Sequence, residues 1–305
     1  MSSRSKVDKP AGSLEIVRAR IGRLFSSVHL SRDSQQQELP LQFYSIAEPV
    51  RLPMDTLAGF IDFLSASLPR GEIYLFGGVL RDLAAFGRRG FSSDVDIVVE
   101  GDWLGFAQYL EWVGAKRNKF GGYRVYAGEW PIDIWNAEET WAVRQGLVPY
   151  VGIESLTRTT VLNWDAILMN WRSKRFICSP TYLDDLRRRA LDVVLEANPN
   201  PLGMAVRVFR HLSAKEAKSV SRTAVSYLER CTRAYSFEDL RRAEFASYGN
   251  SVIESAVYRF FAFSGRCSGQ DVDQRFQAAA EELTSRGDSV SWKQLDLTLQ
   301  GRLRL

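Results

Sequence analysis

The sequence predicts an α+β fold: a small mixed sheet flanked by helices, followed by an all-helical C-terminal region. Three observations point there. An apolar run at 73–76 stops at Gly77-Gly78, gives way to helical spacing, and is followed by a second β-type run from Asp94. Two more alternating segments, 123–126 and 130–135, come after a turn at Gly121-Gly122. Beyond Arg210, apolar residues recur at helical spacing over 213–234, 236–248, 250–264 and 270–286.

Taken in order, residues 1–12 are small, polar and basic, and read as disordered. Residues 13–30 place Leu14, Ile16, Val17, Ile21, Leu24, Phe25 and Val28 on one helical face. Ser13 is a candidate cap, with Glu15 in the first turn. Residues 31–42 form a polar linker. Residues 54–68 form a second amphipathic helix, burying Leu57, Phe60, Ile61, Phe63 and Leu64. Residues 103–114 read as a helix ending at Gly114. The expected organisation is a basic tail, helix and linker over 1–50, a sheet-bearing head over 51–195 and a helical domain over 196–305.

Composition limits the function classes. With 305 residues, 45% hydrophobic and 25% charged, the chain has room for one large domain or two modest ones. A net charge of +4 permits nucleic-acid binding without requiring it. The apolar runs fall short of the roughly 18–20 residues that cross a bilayer, so no membrane span is expected. The N-terminus lacks the apolar stretch of a secretory signal. Cys178, Cys231 and Cys267 are widely separated, and His29 and His211 are far apart in sequence. Neither a disulfide framework nor a structural zinc site is expected, and a cytoplasmic location follows as the expectation.

The chemistry-bearing stretch is 74–100, YLFGGVLRDLAAFGRRGFSSDVDIVVE. Side chains alternate along a strand, so Asp94 and Asp96 point the same way. A glycine turn opening a helix offers amides and a dipole to phosphate, and paired carboxylates hold magnesium. Asp133 stands between Ile132 and Ile134 on a later strand, so it faces away from the core as a third acid. A Gly-Gly pair alone is usually only a turn, and an Asp-x-Asp alone a solvated strand end. Their order, strand–GG–helix–strand–DxD, is far more specific. Residues 116–119 (Lys-Arg-Asn-Lys) read as a solvated loop that could also meet a phosphate backbone.

Gly77, Gly78, Leu80, Arg81, Asp82, then Asp94, Val95, Asp96, Ile97, Val98, Glu100 and Gly101 resemble the signature of the nucleotidyltransferase superfamily. The form is that of the polymerase beta-like head domain of class II CCA-adding enzymes and bacterial poly(A) polymerases. Arg158, Asn163 and Ala166, then Pro180, Leu183, Asp184, Asp185, Leu186 and Arg189, fit two later motifs of that family. The resemblance implies a magnesium-dependent nucleotidyltransferase using two ions, with Mn2+ as a substitute. Asp94, Asp96 and Asp133 would be its catalytic and metal-binding acids. Gly77, Gly78, Arg81, Arg158, Asn163, Arg207 and Arg210 would contact the nucleotide. Asp82 is read as fixing its helix or a neighbouring arginine. The implied partners are an NTP, ATP or CTP first, and an RNA, tRNA foremost.

The sequence also departs from the family. Thr159 stands where an acid is expected, and the base-reading acid–acid–arginine trio is replaced by Pro199, Asn200 and Gly203. Sites built on such hydrogen bonds lose discrimination when the partners go. The residues after Arg210 are too few for a full neck, body and tail, though they carry arginines and aromatics such as Tyr227, Arg230, Tyr258 and Phe260. That mixture suits RNA ends or an ordinary helical core. Two alternatives therefore stand beside RNA 3′-end addition: modification of a protein or small molecule, as in a toxin or defence effector, and a catalytically silent RNA-binding relative.

Overall fold

A computed structural model describes residues 8–27, 56–68, 70–91, 93–112, 114–118, 121–127, 130–214, 217–267, 271–285 and 298–299. The expected linker at 31–42 lies outside them. The chain divides into two compact units, 1–160 with 165–183, and 161–164 with 184–305. Among the described residues no helix is long and apolar enough to cross a membrane.

The first unit opens with α1 (Leu14–Ser27), whose Val17, Ile21, Leu24 and Phe25 are buried as the spacing requires. Next comes α2 (Leu57–Ala66), N-capped by Thr56, which accepts from the Gly59 N–H at 3.1 Å. The sheet elements follow: β1 (Gly71–Phe76), α3 (Gly78–Ala85), β2 (Val95–Gly101), α4 (Trp103–Trp112), β3 (Lys116–Arg117), β4 (Tyr123–Ala127) and β5 (Trp130–Asn136). After α5 (Trp141–Arg144) come β6 (Ile167–Asn170) and β7 (Phe176–Cys178). The seven strands are ordered β3-β4-β5-β2-β1-β6-β7. All neighbours are antiparallel except β2 and β5, which run parallel.

Both faces of this sheet are covered. Ile73, Leu75, Ile97, Val99, Ile132 and Ile134 are buried on one face. On the other, Tyr74, Val98 and Leu168 pack with Ala137, Ile153 and Leu156 from the segment after β5. Glu100 fastens that cover to the sheet, accepting from the Tyr150 hydroxyl at 2.6 Å and the Tyr74 hydroxyl at 3.2 Å. Burial and this carboxylate raise the Tyr150 pKa.

The disorder expected for 1–12 fails at its C-terminal end. The Asp8 and Ala11 N–H groups donate to Phe86 and Ala84 carbonyls at 3.1 and 2.8 Å, and Ala11 is buried. Arg20 adds a cation to the same place, donating to the Leu83 carbonyl at 2.8 Å and the Ala84 carbonyl at 3.2 Å. The carbonyls that end α3 are thus satisfied by the N-terminal segment.

The helix α6 (Tyr182–Arg188) contains the division between units. The second unit holds β8 (Ala190–Leu191), α7 (Pro201–Ser213), β9 (Ser219–Val220), α8 (Arg222–Ala234), α9 (Phe237–Tyr248), α10 (Ser255–Ser264), α11 (Val272–Ser285) and β10 (Thr298–Leu299). It is predominantly helical, with a small parallel sheet ordered β10-β9-β8. That sheet is why the helix expected over 213–234 begins only at 222: Ser219 and Val220 pair with β8. Phe209, Phe260, Phe261 and Phe276 form its aromatic centre, with Phe260 and Phe276 at 4.8 Å. Tyr227 is buried, and the Tyr258 hydroxyl donates to the Tyr235 carbonyl at 3.0 Å. Much of the aromatic content proposed for base stacking is therefore core.

Candidate active site

Strand direction decides where the acids meet. The chain leaves β1 at Phe76, turns at Gly77 and starts α3, then returns antiparallel as β2. The end of β1 therefore lies beside the start of β2, with Phe76 paired to Asp96. The parallel strand β5 starts at the same edge, and Asp133 pairs with Asp96. Arg124 on β4 pairs with Asp133, and Lys116 on β3 pairs with Arg124. Phe76, Asp96, Asp133, Arg124 and Lys116 thus form one row across five strands. Asp94 immediately precedes β2. Its Oδ2 lies 3.9 Å from Arg124 Nη2, on the same side as the row.

The glycine turn is built as the chemistry requires in one respect and not in another. Gly77 has φ +64° and ψ −118°, backbone that L side chains rarely adopt. A Cβ on Gly78 would lie 2.9 Å from Ser93 Oγ, so this position lets the loop before β2 close on the helix start. No side chain caps α3. However, the Gly77 N–H donates to the Ile167 carbonyl at 3.0 Å and is taken up in joining the turn to β6.

Arg81 lies inward. Its Nε and Nη2 donate to Asp82 Oδ1 at 2.9 and 2.8 Å, its Nη1 to Asp165 Oδ1 at 2.5 Å, and its Nη2 to Ser93 Oγ at 2.9 Å. The Ser93 hydroxyl donates to Asp82 Oδ2 at 2.6 Å. Burial alone would lower the Arg81 pKa, but Asp165 and Asp82 outweigh it and hold the guanidinium above its ordinary value. Arg81 therefore ties α3 to the loop carrying Asp94. Asp82 fixes its neighbouring arginine, as expected from the sequence.

Arg158 ends a short 3-10 helix and is exposed. In the second unit, the Asn163 amide bridges backbone: Nδ2 donates to the Ala190 carbonyl at 3.1 Å, and Oδ1 accepts from the Asp192 N–H at 2.9 Å. Arg210 donates to the fully buried Glu244 at 2.5 Å and lies 4.0 Å over the Tyr248 ring. Arg207, on the same helix α7, is half-buried. Asn200 caps α7, accepting from the Gly203 N–H at 3.1 Å. Asn163 and Arg210 thus hold the second unit together.

Sequence reasoning missed Arg124, Ser93 and Asp165. Arg124 was within reach. A hairpin of 123–126 with 130–135 pairs residues symmetrically about its turn, which sets 124 opposite 133. Its Nε and Nη2 donate to Asp133 Oδ1 and Oδ2 at 2.8 and 2.5 Å. This bidentate bond, with smaller help from Asp94, raises the Arg124 pKa.

The donor set, carboxylate oxygens only, is right for a hard divalent cation. Among the described residues, however, no group of three or more His, Cys, Asp or Glu side chains is placed to hold a metal ion. The three-acid set expected from the sequence is not assembled, because both Asp133 oxygens bond to Arg124.

No protein-family model and no curated protein sequence matches the chain. Among solved structures, a CCA-adding enzyme with CTP is 18% identical with a TM-score of 0.43, covering 76% of this chain and 63% of that one. A Thermotoga maritima CCA-adding enzyme complexed with tRNA is 16% identical at TM-score 0.43, covering 74% of this chain and 48% of that one. A tRNA nucleotidyltransferase with a primer tRNA and an incoming ATP analog is 16% identical at TM-score 0.42, covering 72% and 60%. The chain thus spans less than two thirds of these relatives' length.

Proposed function

We propose that this chain is a metal-dependent nucleotidyltransferase that moves NMP from an NTP to an acceptor hydroxyl, with an RNA 3′ end, tRNA foremost, as acceptor. One observation carries the reading. Asp94, Asp96 and Asp133 stand at a single sheet edge beside the N-terminus of α3, where the Gly77-Gly78 turn meets the start of β2. Carboxylates at such an edge serve a metal-bound phosphate tail, and an uncapped helix start favours its negative charge.

In this reading Asp94, Asp96 and Asp133 would hold magnesium. A bound divalent cation supplies charge neutralisation on the phosphates and a lowered pKa for the attacking hydroxyl. The acceptor oxygen bonds to the α-phosphorus, the bond to pyrophosphate breaks, and the hydroxyl proton passes to solvent. Arg81, Asp82 and Ser93 hold the loop that carries Asp94, so their part is positioning. Of the arginines named from the sequence, Arg158 lies in the first unit and is exposed, and it is the one left to meet phosphate or ribose.

The test is incubation of the full chain with magnesium, the four labelled NTPs and total RNA. Labelled RNA that disappears with Asp94→Ala or Asp96→Asn supports the reading. Full activity in a folded Asp94→Ala protein overturns it. The second reading is transfer to a protein or small molecule, and its support is that Asn200, one of the residues that replace the base-reading trio, serves as a helix cap. Its signature is label in a protein or small product but not in RNA. RNA binding without any label would mark a silent relative.

A further inference from the structure

This inference rests on the nucleotidyl-transfer reading and concerns Arg124, a residue for which that reading has no role. Arg124 bonds both Asp133 oxygens, at 2.8 and 2.5 Å. The same Nη2 lies 3.9 Å from Asp94 Oδ2. One guanidinium therefore spans two of the three carboxylates. Its side chain is 42% exposed, against 20% for Asp133. Ion pairs of that exposure are weak and exchangeable.

We propose that Arg124 is a positioning residue that competes with the divalent cation for Asp133 and Asp94, so that the third carboxylate enters the metal site only when Arg124 turns away. A guanidinium and a divalent cation seek the same oxygens and repel each other. While the arginine is bonded, both Asp133 oxygens are engaged and the positive charge of Arg124 stands beside Asp94. Released, Arg124 is a free cation next to the Lys116 side of the row, where an incoming phosphate would meet it. A purely structural clamp from β4 to β5 predicts no such competition.

The experiment measures Mn2+ binding to the full chain by electron paramagnetic resonance, without nucleotide. Arg124→Gln is expected to tighten Mn2+ roughly fivefold, because it removes a repelling charge and frees Asp133. Adding Asp133→Asn to that variant should abolish the gain. Arg124→Lys, which keeps the charge but cannot grip both oxygens, should fall between wild type and Arg124→Gln. It carries the test if the glutamine variant does not fold. Unchanged or weaker Mn2+ binding in these Arg124 variants, with binding still lost in Asp94→Asn, overturns the competition alone. Binding undiminished in both Asp94→Asn and Asp96→Asn overturns the metal site itself, and this proposal with it.

Discussion

Arg81→Met asks whether an arginine at a glycine turn binds phosphate or holds the fold. The structure argues for the second. The guanidinium is 12% exposed and stands between Asp82, 2% exposed, and Asp165, 9% exposed. Methionine keeps most of the side-chain volume but takes the guanidinium away from two buried carboxylates. Removing one partner of a buried ion pair costs roughly 3–5 kcal/mol, and here no solvent screening reduces it. At about 2–4 °C per kcal/mol for a unit of this size, the melting temperature should fall by roughly 10 °C. The assay is urea and thermal unfolding followed by tryptophan fluorescence. Asp165→Asn in the same background should recover part of the loss, a coupling of about 1–3 kcal/mol, because one uncompensated charge is gone. An Arg81→Met protein as stable as wild type that had lost only NTP binding would refute this reasoning.

Three other outcomes follow from the same structure. Gly77→Ala should cost about 1–3 kcal/mol in urea unfolding, since φ is +64°, whereas Gly22→Ala, in α1 with open space at its Cβ, should be neutral or stabilising. Arg210→Ala should destabilise by about 3 kcal/mol in the same assay, because Glu244 would be left buried and charged; an unchanged stability would return Arg210 to nucleotide binding. Burial pushes the Cys178 and Cys231 thiols up to about 11. Iodoacetamide at pH 8 should therefore label them far more slowly in the native than in the urea-unfolded protein. The stability these neutral thiols contribute is complete below their ordinary value of 9.0 and is lost as pH rises from there to about 11.

Local patterns were legible because one period decides them. The 3.6-residue spacing of Val17, Ile21, Leu24 and Phe25 names the buried face of α1 without any partner in view. Alternation around Asp133 gives its direction, and Ile132 and Ile134 are indeed buried. What the sequence left open depends on long-range pairing. Nothing local says that β2 and β5 run parallel, and only that register sets Asp133 beside Asp96. Asp165 lies far along the chain from Arg81, so its place in the ion network appears only once β6 lies against β1. The break in the helix expected over 213–234 has the same origin, since Ser219 and Val220 are strand through pairing with Ala190 and Leu191 on one side and Thr298 and Leu299 on the other.

The parallel pair also explains why an arginine came to face these acids. Parallel β2 and β5 place Asp96 and Asp133 at strand starts on one row, where two like charges side by side are unfavourable. A third strand, antiparallel to β5, can add a residue to that row directly opposite Asp133, and in this chain the residue is Arg124. The arginine thus answers a repulsion that the topology creates. A divalent cation shared by the acids would answer it equally well, but both cannot bond Asp133 fully at once. If Arg124 is the counter-charge of the resting site, Arg124→Gln should lower stability slightly while raising cation affinity, two effects of opposite sign from one substitution. A change in which both fell together would mean that Arg124 organises the acids for the cation, and the competition between them would have to be abandoned.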